Sequence, residues 1–167
     1  MIRGWAKGRL DWILQDFDDE TAKREVEKLW QAGAHLMGGV TYGDMAAHWP
    51  TSKEPYAPPM NQIPKVVFSR SLEKAEWGET RIVSGDLEKE IAQLKRQPGG
   101  ELLAHRGARF AQSLTGSGLV DEYRVIFHPV VLGKGLRPFP ERRAPRRLKL
   151  VEGIRFKSGA VAIILQN

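Results

Sequence analysis

The sequence predicts an α/β sandwich, a mostly parallel sheet with one antiparallel edge and helices on both faces. Through most of the chain, short apolar runs alternate with segments of helical period, the pattern of strand–helix–strand units. Glycine breaks at Gly38-Gly39 and Gly107 separate such runs from the helices that follow. The C-terminal tail instead carries two strand-like runs back to back, which is an antiparallel hairpin.

The first helix is expected from Phe17 onward, with Asp18 as N-cap, acids in its first turn, and Ala22, Val26, Leu29 and Trp30 on one stripe. Gly33 closes it. Residues 34–37 form a short buried strand leading to Gly38-Gly39, and residues 41–48 a short helix stopped at Trp49-Pro50. Prolines interrupt residues 51–63, which predicts a surface loop. Buried strands follow at 65–69 and 81–83, with Trp77 and Gly78 marking a packed turn between them. Leu87, Ile91 and Leu94 give residues 86–97 a helical period that Pro98-Gly99-Gly100 ends. Residues 101–104 make a strand that breaks at His105-Arg106-Gly107 into a helix carrying Ala108, Phe110, Ala111 and Leu114. The last elements are a strand over 122–129, a glycine loop at 133–135, and strands near 148–156 and 160–165 joined around Ser158-Gly159.

Composition narrows the function classes. A chain of 167 residues is expected to form one domain, residues 1–167, with a core of its own. There is no cysteine, and His35, His48, His105 and His128 stand too far apart in sequence to suggest a local ligand pair, so no structural metal is predicted. No apolar run reaches the roughly 20 residues of a membrane span, and no signal-peptide core is visible, which predicts a cytoplasmic protein with no membrane partner. The net charge is +6, with basic residues clustered at Arg137, Arg142, Arg143, Arg146, Arg147 and Lys149. That cluster lies in a proline-broken segment, the pattern of a solvated loop, and no nucleic-acid partner is predicted. No serine, cysteine and histidine arrangement suggests covalent catalysis.

One turn could serve a phosphate. A helix N-terminus carries roughly half a positive charge, and a side chain is absent at Gly107, so an anion can approach the backbone there. The same glycine equally fits plain turn chemistry. Thr41 offers a hydroxyl at a helix start or acts as an N-cap. By position alone, Ser69 ends its strand and Arg70 is a solvated surface charge.

Three blocks carry a family resemblance: LMGGVTY at 36–42 with Trp49-Pro50 after it, PKVVFSRSL at 64–72, and residues 99–135, which include LVDEY and HPVVLG. From about Leu10 to the C-terminus the chain resembles the dihydrofolate-reductase-like proteins that share a fold with the reductase domain of the riboflavin-biosynthesis deaminase/reductase. The resemblance implies a three-layer α/β/α sandwich with NADPH across the C-terminal ends of the strands. It further implies hydride transfer to a small heterocycle, pterin- or pyrimidine-like, or a related compound, and a homodimer. It assigns Gly38 and Thr41 to one phosphate-facing helix start, Ser69 and Arg70 to the adenosine end, and Gly107, Ala108, Arg109 and Phe110 to the pyrophosphate. No catalytic residue is assigned. Asp18, Asp19 and Glu20 are candidates for an anchoring carboxylate by position, and they also read as acids complementing a helix dipole.

Three positions depart from the family pattern. Met1-Ile2-Arg3-Gly4-Trp5 stands at a turn the family reaches only after an interior strand, so that first strand is expected to be missing, and Arg3 replaces an aspartate. Gly39 replaces an arginine, and Arg106 replaces one of two glycines. These departures favour an alternative to the reductase, a catalytically impaired relative that binds a ligand or serves in assembly.

Overall fold

The computed structural model describes residues 19–167 apart from 106, 132, 134, 138 and 140–144. Helix α1 (Asp19–Leu29) leads into strand β1 (Ala32–Gly38) and directly into α2 (Gly39–His48), which a single 3-10 turn (Trp49–Thr51) extends. Helix α3 (Ala57–Gln62), β2 (Lys65–Phe68), β3 (Thr80–Val83), α4 (Leu87–Leu94), β4 (Glu101–Ala104) and α5 (Ala108–Ser117) follow. Strands β5 (Glu122–Phe127), β6 (Lys149–Arg155) and β7 (Val161–Gln166) complete the chain. No helix among the described residues is long and apolar enough to cross a membrane.

The strands form a four-stranded parallel sheet in the order β3-β2-β1-β4 and a three-stranded antiparallel sheet in the order β5-β7-β6. Side chains alternate across the parallel sheet. Met37 and Val67 face Tyr42 and Met45 of α2, Met60 of α3, and Trp49 and Trp77. Ala34, Leu36, Val66 and Val83 face Ile91 and Leu94 of α4 and Leu114 of α5. The predicted three layers are therefore present, with the strands of the described residues falling in two sheets. Between its two parts, Arg124 of β5 reaches Glu101 of β4 at 2.8 Å and Lys95 reaches Asp121 at 2.5 Å. Among the described residues no strand lies between the β4 and β5 edges. Met1 to Trp5, Arg3 and Asp18 lie outside the described residues.

Three sequence expectations need correction. The expected surface loop at 51–63 contains α3, with Ala57, Pro59, Met60 and Ile63 buried. Prolines at the start of a helix sacrifice no intrahelical hydrogen bond, because the first N–H groups have no partner there. Gly33 does not close α1 but sits inside β1, at the register shift between Ala32 and Ala34 opposite β4. A Cβ on Gly33 would lie 2.6 Å from the Gly100 backbone nitrogen, so glycine is required for the two strands to approach. Trp30, placed on the apolar stripe by its spacing, lies past the end of α1 and is 47% exposed.

One charge is buried in the core. Lys65 is 1% exposed, its Nζ donates to the Asn61 carbonyl at 2.6 Å, and it lies 4.6 Å from the centroid of the Trp77 ring. Burial pulls its pKa down to about 8, with Glu79 opposing that shift. The folded state thus holds the proton less tightly than the unfolded chain, so the charged amine costs stability below pH 8 and the cost fades toward pH 10.5. Lys65→Met is expected to raise the unfolding free energy at pH 7 by about 1 kcal/mol, with a smaller gain at pH 10. Urea unfolding at the two pH values checks this.

Candidate functional site

The order β3-β2-β1-β4 makes the gap between β1 and β4 a switch point. From β1 the chain steps outward to β2 and β3, then returns to the other side of β1 as β4. The helices after β1 and β4 pack on opposite faces, the arrangement that in open α/β sheets leaves a crevice at the C-terminal ends of two such strands beside both helix N-termini.

The structure brings most of the predicted residues together in this crevice. A Cβ on Gly107 would lie 2.7 Å from Thr41 Oγ1 and 3.8 Å from Phe110 Cβ, and one on Gly38 would lie 3.6 Å from Phe110 Cβ. Gly107 has φ +140°, in the region that favours glycine. The two glycine turns therefore nest against each other, which sets the starts of α2 and α5 side by side. Phe110 continues the contact toward β2, with its ring 5.3 Å from that of Phe68. Ser69 follows Phe68, and its Oγ accepts hydrogen bonds from the backbone N–H groups of Ser71 at 3.3 Å and Leu72 at 3.1 Å. Arg70, Ala108 and Arg109 are exposed around this rim.

The electrostatics of these helix starts differ from those of an ordinary helix in the same chain. Helix α4 has Asp86 accepting from the Lys89 N–H at 2.9 Å, with Glu88 and Glu90 in its first turn. Helices α2 and α5 begin at Gly38 and Gly107, which offer no capping side chain, and neither has an acid in its first turn. In α5 the first turn carries Arg109 instead, a charge of the wrong sign for the helix dipole. An anion in the crevice would reverse that penalty, since it interacts favourably with the guanidinium and both helix starts. Val40, at the start of α2, is 84% exposed, an apolar surface beside the same rim.

Gly39 has a local cause. A Cβ there would lie 2.7 Å from Ser69 Oγ and 3.0 Å from Ser69 Cβ, so Ser69 occupies the space a side chain at position 39 would need. Gly39→Arg is accordingly expected to lower the melting temperature, whereas Gly39→Arg combined with Ser69→Gly regains stability. Thermal unfolding with and without nucleotide checks both. Arg106 lies outside the described residues, as do Arg142 and Arg143 of the basic cluster. Asp19 and Glu20 fall in the first turn of α1.

Sequence spacing missed one constellation. His105, at the end of β4, donates its backbone N–H to the Leu36 carbonyl at 2.8 Å, and its Nε2 lies 2.8 Å from Nδ1 of His35 on β1. His35 is fully buried, and its Nε2 lies 3.3 Å from the Pro59 carbonyl of α3. Burial and the Lys65 charge lower the His35 pKa to about 4, against the hydrogen bond to Pro59. Parallel pairing sets His35 beside Leu103, two residues before His105, a juxtaposition invisible to local periodicity. No group of three or more metal-ligating side chains occurs among the described residues.

Comparison with known proteins follows the same lines. The family described as the RibD C-terminal domain is matched over residues 5–162. YyaP of Bacillus subtilis (strain 168), an uncharacterized protein, is 28% identical over 162 residues, covering 94% of this chain and 84% of YyaP. Among solved structures, a protein ascribed to riboflavin biosynthesis from Shewanella sp. PV-4 superposes with a TM-score of 0.75 at 20% identity, covering 96% of this chain and 88% of that one. The diaminohydroxyphosphoribosylaminopyrimidine deaminase/5-amino-6-(5-phosphoribosylamino)uracil reductase of Thermotoga maritima gives a TM-score of 0.62 at 14% identity, with 89% of this chain against 49% of that longer one. Dihydrofolate reductase from Enterococcus faecalis, complexed with NADP(H), gives 0.56 at 13% identity, covering 86% and 80% of the two chains.

Proposed function

Because the chain belongs to the RibD C-terminal domain family, a reductase-like domain, we propose that it is an NADPH-dependent reductase of a small pyrimidine- or pterin-like heterocycle or a related compound. The observation that carries this reading is the pair of nested helix starts, uncapped and free of first-turn acids, with Arg109 at one of them. The residues present fit a dinucleotide. The first-turn N–H groups of α2 and α5, the Thr41 hydroxyl and Arg109 would hold the pyrophosphate, and Ser69 with the exposed Arg70 would hold the adenosine end. When bound, NADPH supplies the hydride, and the protein supplies orientation and a place for the substrate at the crevice.

A second reading keeps the fold and the ligand but not the turnover. It is favoured by Ser69 filling the space where the resemblance expects an arginine at position 39, a charge-assisted contact worth roughly 1.5–3 kcal/mol. Fluorescence titration with NADPH, followed by steady-state NADPH oxidation with pterins, pyrimidines and quinones, separates the two. Saturable binding with turnover is the expected result. Binding without turnover supports the second reading, and no binding at millimolar NADPH overturns both.

The proposal includes a cytoplasmic homodimer. Phe127, Leu150 and Val151 leave apolar surface exposed on the antiparallel sheet, 58%, 61% and 48% accessible, and such surface commonly marks a self-association site. A dimeric mass by light scattering is expected.

A further inference from the structure

We propose that His105 is the proton donor of this site, held in position and in a single tautomer by His35. The inference rests on the reductase reading above and adds to it the acid that the sequence left unassigned. A carbonyl oxygen only accepts, so the contact between His35 Nε2 and the Pro59 carbonyl places the His35 proton on Nε2. His35 Nδ1 is then a lone pair, and the 2.8 Å contact requires His105 Nε2 to carry the hydrogen. His105 therefore takes its second proton at Nδ1. His35 stays neutral across the physiological range, because its burial opposes charging.

The location matches the task. His105 ends β4 at the switch-point crevice, two residues before Gly107, whose turn nests on Thr41. His105 is partly exposed, whereas His35 behind it is sealed, so His105 is the member of the pair on the solvent side. Among the described residues, the Lys65 charge acts on His35 from β2, and Arg109 stands in the first turn of α5. In the step, the Nδ1–H bond of the imidazolium breaks and an N–H bond forms on the substrate ring nitrogen as the neighbouring carbon accepts a hydride from reduced nicotinamide. The neutral imidazole then regains its proton from water.

Two measurements on the intact protein test the proposal. Imidazole 15N spectra should show His35 as the Nε2–H tautomer, neutral at pH 5, and His105 titrating at Nδ1. A charged His35 at pH 6, or an Nδ1–H tautomer of neutral His35, overturns it. In the kinetic arm, His105→Gln retains an N–H for His35 but cannot deliver a proton, and kcat should fall by about 100-fold or more with loss of the alkaline limb of the pH profile. NADPH affinity should change little. His35→Leu should keep that limb and move its midpoint. A His105→Gln enzyme with wild-type kcat and pH profile overturns the proton-donor role alone, whereas wild-type protein that neither binds nor oxidises NADPH overturns the reductase reading with it.

Discussion

Gly107→Ala is expected to weaken both the fold and nucleotide binding. The backbone there has φ +140°, where an L side chain is strained by about 1–3 kcal/mol. The new methyl would in addition lie 2.7 Å from Thr41 Oγ1, so the turns that hold α2 and α5 together must part. Their helix starts share one crevice only because this contact is bare on one side. NADPH affinity should fall by roughly tenfold or more, since each 1.4 kcal/mol lost at the site is a factor of ten. Thr41→Ala in the same chain removes the clash without relieving the dihedral. The double variant should therefore recover part of the loss, and the cycle of single and double variants divides steric from backbone strain. Gly107→Ala with wild-type melting temperature and NADPH affinity would sink this account of the turn.

This turn was legible in the sequence because its cause is local: a strand, a side-chain-free break and a helical period follow one another within residues 101–117. The same holds for the parallel strands, for the α4 helix, and for the hairpin at Ser158-Gly159. Helix α3 was hidden because its prolines stand in the first turn, where helices accept them. The role of Gly33 was hidden because what demands a glycine there is the backbone of Gly100, which is remote in sequence and stands just before β4. Gly39 looked like a lost arginine until Ser69 was placed against it. The family resemblance named Gly38, Thr41, Ser69 and Gly107, and the structure adds the physical reason they are neighbours, which is the β1–β4 switch point. His35 and His105 were dismissed by their separation in sequence, yet β-sheet register erases such separation.

The same histidine pair gives the protein a specific acid weakness. His35 binds its proton with a pKa of about 4 when folded and 6.5 when unfolded. Between those values the unfolded chain takes up a proton that the folded protein excludes, so stability falls as pH drops through 6.5 and the loss is complete near pH 4. Integrated over the window, this one group removes about 3 kcal/mol, at 1.36 kcal/mol per pH unit. That is a large share of the 5–15 kcal/mol typical of a domain. His35→Gln should lower stability at pH 7, because the contact geometry with Pro59 and His105 is lost, while flattening the pH dependence between 6.5 and 4.5. His105→Gln should leave the acid slope in place, since the excluded proton belongs to the buried ring. Urea unfolding of the three proteins at pH 7, 5.5 and 4.5 checks the assignment, and parallel slopes for wild type and His35→Gln would refute it. Glu122, whose desolvation is outweighed by Arg124 and Gln166 so that its pKa is lowered, is common to all three proteins and contributes equally to each. The cost of excluding that proton is what keeps His35 a neutral acceptor, so acid sensitivity and the fixed orientation of His105 have a single physical origin in the burial of one ring.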